Sequence, residues 1–389
     1  MLKVGQGAVA PPFLAMDVIA AANRRQAALP PGAPRVIRME VGQPGTGAPA
    51  GAVAAAQAAL RSGRTLGYTE ALGLRSLREG IARHCAAWYG AQVSPERVAV
   101  TTGASAAFPL AFLAAFDRGD RVALAAPFYP PYVNILTALG LVPVVLETGA
   151  ETRFQPTVAM LEAMARGPGG LPDGLIVASP GNPAGTMLRP EELRGIAEWC
   201  HARGVRLVSD EIYHGLQYEV AVATAASFSP SAIVINSFSK YFSMTGWRVG
   251  WMVLPQDLVR AVECLAQNLF ISAPHLSQVA AEAALGCGPE LDANVAAYRR
   301  SRVLLLREMP GVGFDRLSPA EGAFYLYADV SERTGDSVAF CARMLEQAGV
   351  ATTPGMDFDR VRGGRFVRFS YCGAEADVAE AVERLRGFA

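Results

Sequence analysis

Lysine is nearly absent from this chain. Of its 35 basic residues only Lys3 and Lys240 are lysines. A surplus of one charge is absent too: 35 basic side chains face 35 acidic ones, and the formal net charge is zero. No global positive field therefore exists to gather nucleic acid or an anionic membrane surface. Cysteines at metal-ligand spacing are missing. Cys85, Cys200, Cys264, Cys287, Cys341 and Cys372 are scattered, with no C-x-x-C. That pattern argues against a zinc site or disulfide frame and implies reduced thiols in a cytoplasmic protein. There is no internal repeat and no low-complexity linker, and the Pro/Gly-rich "RGPGGLPDG" is expected as a surface loop.

Export and membrane signals fail on inspection. Pro11 and Pro12 interrupt the apolar N-terminal stretch, and Asp17 follows. The uncharged runs Val98 to Phe116 and Val122 to Leu146 have the length of a membrane span. The first contains Gly103, Ser105 and Pro109. The second contains Pro127, Pro130, Pro131, Asn134 and Pro143. Both are expected as buried strand-turn-helix units.

What is present is a large apolar fraction, 51% against 18% charged, spread over 389 residues. That excludes disorder and supports two domains or three. "RVAVTTGASAAFPLAFLAAF" predicts strand, glycine turn and helix, and "DRVALAAPFYPPYVNILTALG" repeats the order. "GLIVASPGNPAG", "GVRLVSDEIY", "SAIVINSFSK" and "RVGWMVLP" are further strands, with a helix from about Pro190. Apolar strands alternating with helices predict an α/β domain with a mostly parallel sheet sandwiched by helices, over 48–285. The last hundred residues differ. A helix over Leu291 to Arg307, the segments "GAFYLYADV" and "RFVRFSY", and two more helices predict a smaller α+β domain. It spans 286–389 and is completed by 1–47.

Lys240 stands in "SFSKYFSMTGWRVG". A buried lysine amine can lose its proton and attack a carbonyl carbon; a guanidinium stays charged and cannot. The alternative is a leftover surface lysine, as expected of Lys3. Other polar residues cluster where strands end, the place where parallel sheets bind ligands. "TTGAS" (Thr101 to Ser105) opens a helix whose N-terminus could hold a phosphate, or it merely caps that helix. Ser237 and Arg248 flank Lys240 and suit the same phosphate. Asp210 ends a strand, as a partner for a cation or as an N-cap. Asn182 lies in "SPGNPAG", as an amide donor or a turn residue. Tyr129, in "PFYPPY", offers a stacking face or a core side chain. Together they provide a lysine for an aldehyde, a phosphate cradle and a carboxylate for a ring nitrogen. That set describes pyridoxal 5′-phosphate, in which charge at a substrate's α-carbon flows into a protonated pyridine ring.

Nearly end to end, the chain resembles the class I/II aminotransferases, the fold-type I enzymes dependent on pyridoxal phosphate. The resemblance rests on Ser237 to Gly250, "ASPGNPAGT", "VSDEIYHGLQY" and "GYTEALGLRSLR"; Ala184, where threonine is commoner, is a departure that touches a turn. The resemblance implies that Lys240 forms the Schiff base and shuttles the α-proton, and that Asp210 pairs with the ring nitrogen. Asn182 and Tyr213 would hydrogen-bond the ring oxygen, and Tyr129 would stack on the ring. Gly103, Ala104, Ser105, Ser237 and Arg248 would hold the phosphate. Arg368 would grip the substrate α-carboxylate beside Gly42. Tyr68 would reach the phosphate in the other subunit of a homodimer with shared sites. Without the resemblance, Arg368 is as readily a surface residue of an alternating strand.

Three functions compete: an aminotransferase with ping-pong kinetics, a lyase removing a β- or γ-substituent, and a ligand-sensing regulator. The regulator would need a DNA-binding module, for which the N-terminal segment leaves no room. Asn268 to Gln278, "NLFISAPHLSQ", has no arginine to pair a distal carboxylate, and "PPFLAMDV" is largely apolar. Neutral aliphatic or aromatic donors are therefore expected, with Phe13 and Phe270 as candidate lining.

Overall fold

The computed structural model describes residues 2–8 and 11–388. Met1, Val9, Ala10 and Ala389, which the expected small domain includes, lie outside the described residues. Seven strands form the main sheet: β1 (Val98–Thr101), β2 (Arg121–Ala126), β3 (Val142–Glu147), β4 (Gly174–Ala178), β5 (Arg206–Asp210), β6 (Ile233–Ser237) and β7 (Gly250–Val253). Their order is β1-β7-β6-β5-β4-β2-β3. The pairings among β2 to β6 are parallel, whereas β7 runs antiparallel to both β6 and β1.

The central strands are apolar on both faces because both faces are covered. Alternation sorts their side chains into two cores. Leu175, Val177, Leu207 and Val234 join one core with Leu77, Ile81 and Trp199. Ile176, Val208, Ile233 and Ile235 join the other with Phe108, Phe112 and Leu136. The first uncharged run is strand β1 and helix Ala104–Ala115; the second is β2, helix Pro131–Ala138 and β3. No helix among the described residues is long and apolar enough to cross a membrane.

A four-stranded antiparallel sheet is built from Arg316–Leu317, Tyr325–Asp329, Thr353–Pro354 and Phe366–Ser370. Ile37–Arg38 pairs in parallel with Val350–Ala351, so the N-terminal segment is stitched to the C-terminal part. The long helix spans Gly288–Glu308 and starts before the expected Leu291. Pro289 is accommodated there because the first turn has no N–H partner to lose. We propose 48–285 as the large unit and the remainder as the small one.

The helix Leu14–Ala28 has no side-chain cap from its own Phe13. Its first N–H groups are instead satisfied by the buried Asp357 carboxylate, which accepts from Leu14 at 2.9 Å and Ala15 at 3.0 Å. A carboxylate here also suits the positive end of the helix dipole. Asp357→Ala should destabilise this first turn by about 1 kcal/mol. Hydrogen exchange at residues 14–17 should quicken accordingly while the strands of the main sheet keep their protection; unchanged exchange at 14–17 would show that the cap is idle.

Candidate active site

The strand ends bring the expected residues together. β5 finishes at Asp210 and β6 at Ser237; Tyr129 follows β2, Asn182 follows β4 and Gly103 follows β1. The antiparallel β7 contributes its beginning instead. Its Gly250 pairs with both Ser237 and Thr101, which delivers Arg248, two residues earlier, to the same edge. The result is a cavity of about 240 Å³. Lys240, Asp210, Tyr213, Asn182, Tyr129, Ser237, Arg248, Ala104, Ser105, Gly42 and Arg368 all line it. Phe13 lines it as well, beside Ala15, Met16 and Ile19 of the N-terminal helix. Three expected residues do not: Gly103 sits behind the lining against Arg248, and Tyr68 and Phe270 lie away from it. Tyr68 is 83% exposed, and Phe270, outside the cavity of its own chain, is 39% exposed.

One end of the cavity is suited to an anion. Arg248 makes no ion pair among the described residues, and its Nη1 donates to the Thr245 carbonyl at 3.0 Å. The guanidinium lies against Gly103, the residue before helix Ala104–Ala115. A Cβ on Gly103 would collide with that guanidinium, and its φ of 72° is left-handed, so only glycine fits. The free N–H groups of this helix, the open Ser105 and the Arg248 cation thus converge. Ser239, not singled out from the sequence, also lines the cavity, and its Oγ accepts from Ser237 Oγ at 2.9 Å.

In the middle, Asp210 is only 4% exposed. Its Oδ1 accepts from the Ile212 N–H at 3.1 Å, and its Oδ2 accepts from the Tyr132 hydroxyl. Burial pushes the carboxyl up to about 6, against the pull of those two hydrogen bonds and of Lys240. Tyr132 was missed in the sequence, although it stands one helical turn past Tyr129, the spacing that puts two side chains on one face. The Tyr213 and Tyr325 hydroxyls are 2.8 Å apart, and burial holds the Tyr213 phenol well above its ordinary value. Tyr129 meets the edges of Phe13 and Tyr132 at 5.9 and 5.4 Å. The Lys240 Nζ donates to the Gly42 carbonyl at 2.6 Å. Burial lowers this amine to about 8, Arg368 and Arg248 add to the lowering, and Cys372 and Asp210 oppose it.

At the far end, Arg368 is 3% exposed, which overturns the surface reading of "RFVRFSY". Arg365 ends the 3-10 turn Gly363–Arg365 ahead of the strand and is exposed, whereas Arg368 lies within the strand Phe366–Ser370 and is buried. Its Nη1 donates to Asn182 Oδ1 at 2.8 Å, and its Nη2 donates to the Glu40 carbonyl at 2.7 Å and Thr353 Oγ1 at 3.0 Å. The guanidinium lies 4.4 Å from the Tyr325 ring centre, yet its Nε has no partner. A buried cation without a carboxylate, one donor still free, is chemistry prepared for an acidic ligand.

This donor set fits pyridoxal phosphate: an anion cradle, a buried carboxylate, phenol and amide groups, and an amine of lowered basicity. The sheet and site together define a fold-type I pyridoxal-phosphate enzyme. Comparison with known proteins narrows the class. The family described as aminotransferase class I and II matches residues 34–385. The chain is 49% identical to a valine–pyruvate aminotransferase of Mycobacterium tuberculosis, covering 98% of this chain and 97% of that protein. An aspartate aminotransferase of Thermotoga maritima is 33% identical, covering 91% of each. Among solved structures, an aminotransferase from M. tuberculosis superposes with a TM-score of 0.95, at 49% identity over 100% of this chain and 99% of that one. The Thermus thermophilus aspartate aminotransferase with maleate gives a TM-score of 0.90, at 32% identity over 99% of each. The chain belongs to the class I and II aminotransferases and is a pyridoxal-phosphate-dependent aminotransferase.

Asp210 links the site to stability. Its folded value of about 6 lies above the ordinary 3.8, so the folded chain binds this proton more tightly than the unfolded chain does. That contribution is complete below the ordinary value and is lost as pH rises through about 6. The cofactor-free Asp210→Asn protein should therefore be more stable than wild type at pH 8, by on the order of 2 kcal/mol. The advantage should vanish near pH 4. Denaturant melts at the two pH values check this, and a variant no more stable at pH 8 would refute the burial penalty.

Proposed function

We propose that this aminotransferase takes neutral L-amino acids as donors, aliphatic ones foremost, and passes the amino group to a 2-oxo acid by a ping-pong mechanism. The observation that carries the reading is the census of cations in the cavity. Among the described residues of one chain, Lys240, Arg248 and Arg368 are the cations that line it. Arg248 is committed to the phosphate and Arg368 to the α-carboxylate, so a side-chain carboxylate would find no partner. The wall offered to the side chain is Phe13, Ala15, Met16 and Ile19, with the buried carboxyl-bearing Glu40 behind it. Desolvating an unpaired carboxylate there costs several kcal/mol, a discrimination of about a hundredfold or more. The relative named for valine and pyruvate supports the same choice. A lyase is not favoured, since the named relatives are aminotransferases.

The bound cofactor supplies an aldehyde for the amino group and a ring that withdraws electrons from the α-carbon. The protein does the rest. Lys240 provides the attaching amine and, once released, moves the proton at the α-carbon; an amine near 8 is poised to do so at neutral pH. Asp210, kept ionised by Tyr132 and Ile212, holds the ring nitrogen protonated. Asn182 and Tyr213 would donate to the ring oxygen, and Tyr129 would cover the ring face. Arg248, Ser105, Ser237 and the helix at Gly103 and Ala104 would hold the phosphate. Arg368 orients the α-carboxylate, with Asn182 fixing one side of its guanidinium. We further propose a cytoplasmic homodimer in which Tyr68 completes the partner's site. The exposed Tyr68 shares the protein surface with the exposed Leu269, Phe270 and Ile271, a combination that a second copy would bury.

Two measurements check this reading. With one fixed acceptor, kcat/KM for L-valine or L-alanine should exceed that for L-aspartate by about a hundredfold; aspartate as the best donor would reject the neutral pocket. Mixing inactive Lys240→Ala dimers with inactive Tyr68→Ala dimers should restore activity, because each hybrid carries one intact site. Verified hybrids without activity would confine Tyr68 to its own subunit.

A further inference from the structure

The segment 40–43 lines the cavity, and its four carbonyls lie within hydrogen-bond reach of the side chains of Arg368, Cys372 and Lys240. Arg368 Nη2 donates to the Glu40 carbonyl at 2.7 Å. The Cys372 thiol lies 3.2 Å from the Val41 carbonyl and 2.9 Å from the Gln43 carbonyl. Between these two, the Gly42 carbonyl accepts from Lys240 Nζ at 2.6 Å. Carbonyls 41 and 43 both lie within reach of the Cys372 sulfur, whose one S–H donates to one of them at a time, while carbonyl 42 between them meets the lysine instead. Glycine is required at the middle position because a Cβ on Gly42 would collide with the Tyr325 hydroxyl.

The chain just past the strand Phe366–Ser370 puts the thiol there: Arg368 within the strand and Cys372 two residues beyond its end both meet carbonyls of the segment 40–43. Ser370 Oγ and Cys372 Sγ are 3.1 Å apart, and the Cys372 carbonyl accepts from the Gly45 N–H at 2.9 Å. Cys372 is buried, and burial raises its thiol, against the pull of Ser370 and Lys240, which favours the protonated form that can donate.

We propose that Cys372 is a positioning residue for Lys240, acting through the Gly42 carbonyl. It does not touch the substrate. It fixes the acceptor on which the lysine amine rests when the amine is free of the cofactor. The charged and titratable groups around that amine are Asp210 and Arg248 from the main sheet, Arg368 and Cys372 from the small sheet, and Tyr213, whose ring centre lies 5.5 Å away. Among the described residues, the Gly42 carbonyl is the one backbone acceptor that the amine meets.

The near-absence of lysine makes the test direct. With only Lys3 and Lys240 in the chain, lysine labelled with ¹³C at the ε-carbon gives two side-chain signals, and the buried one reports Lys240. A well-aimed carbonyl stabilises the ammonium. In the cofactor-free Cys372→Ala chain that acceptor drifts, and the Lys240 signal should titrate about one pH unit lower than in wild type. Cys372→Ser retains a donor and should restore the wild-type midpoint. In the loaded enzyme, kcat should follow the same order, with KM for the donor unchanged because Arg368 is untouched. A wild-type midpoint in a folded Cys372→Ala chain would overturn the proposal. If that variant fails to fold, the serine variant decides: a midpoint displaced as far as any other substitution at 372 displaces it would reduce Cys372 to packing.

Discussion

Charged side chains are gathered around one cavity and left unpaired with one another. Arg248 and Arg368 have no acidic partner among the described residues, Asp210 has no cationic one, and Lys240 rests on a neutral carbonyl. Each is held by hydrogen bonds with uncharged groups: Arg248 donates to Thr245, Arg368 to Asn182 and Thr353, and Lys240 to Gly42, while Asp210 accepts from Tyr132. Mutual ion pairs would satisfy these charges and silence them. Neutral partners fix direction while leaving the charge for a ligand. The cost is visible in the shifted Asp210 and Lys240, both driven chiefly by burial, and it is met by the two cores on either side of the main sheet.

That arrangement depends on a mixed sheet. With β7 parallel to its neighbours, Arg248 would lie at the opposite edge from Asp210 and Ser237. Its reversal puts the start of β7 beside the ends of β1 and β6. The second requirement is the small sheet. Arg368 and Tyr325 reach the cavity only because the strands Phe366–Ser370 and Tyr325–Asp329 pair with Arg368 beside Tyr327 and Ser370 beside Tyr325. The N-terminal helix then forms the apolar wall, tied down by Asp357.

Much of this was legible in the sequence. The scarcity of lysine singled out Lys240. Apolar strands ending in polar residues exposed the parallel sheet and its active edge, so Asp210, Asn182, Ser237 and Arg248 could be named from local pattern alone. Those residues belong to the strand-end stretches that carry the resemblance to the aminotransferases, and that resemblance also supplied Tyr213 and Arg368.

Other features had no local signature. Tyr132, Ser239, Tyr325 and Cys372 are ordinary core-compatible residues whose importance comes from what lies opposite. Tyr132 meets Asp210 across 78 residues of chain, and Cys372 meets Gln43 across 329. Nor could the sequence by itself decide whether Arg368 faced water or the interior, because alternation fixes which residues share a face and not which face is buried. The sequence determined the elements, the reactive lysine and the chemistry at the strand ends, since these follow from residue type and short-range period. Only the tertiary structure decided which carbonyl holds the lysine, which phenol steadies Asp210 and which arginine turns inward, since those depend on surfaces that meet after the chain has folded.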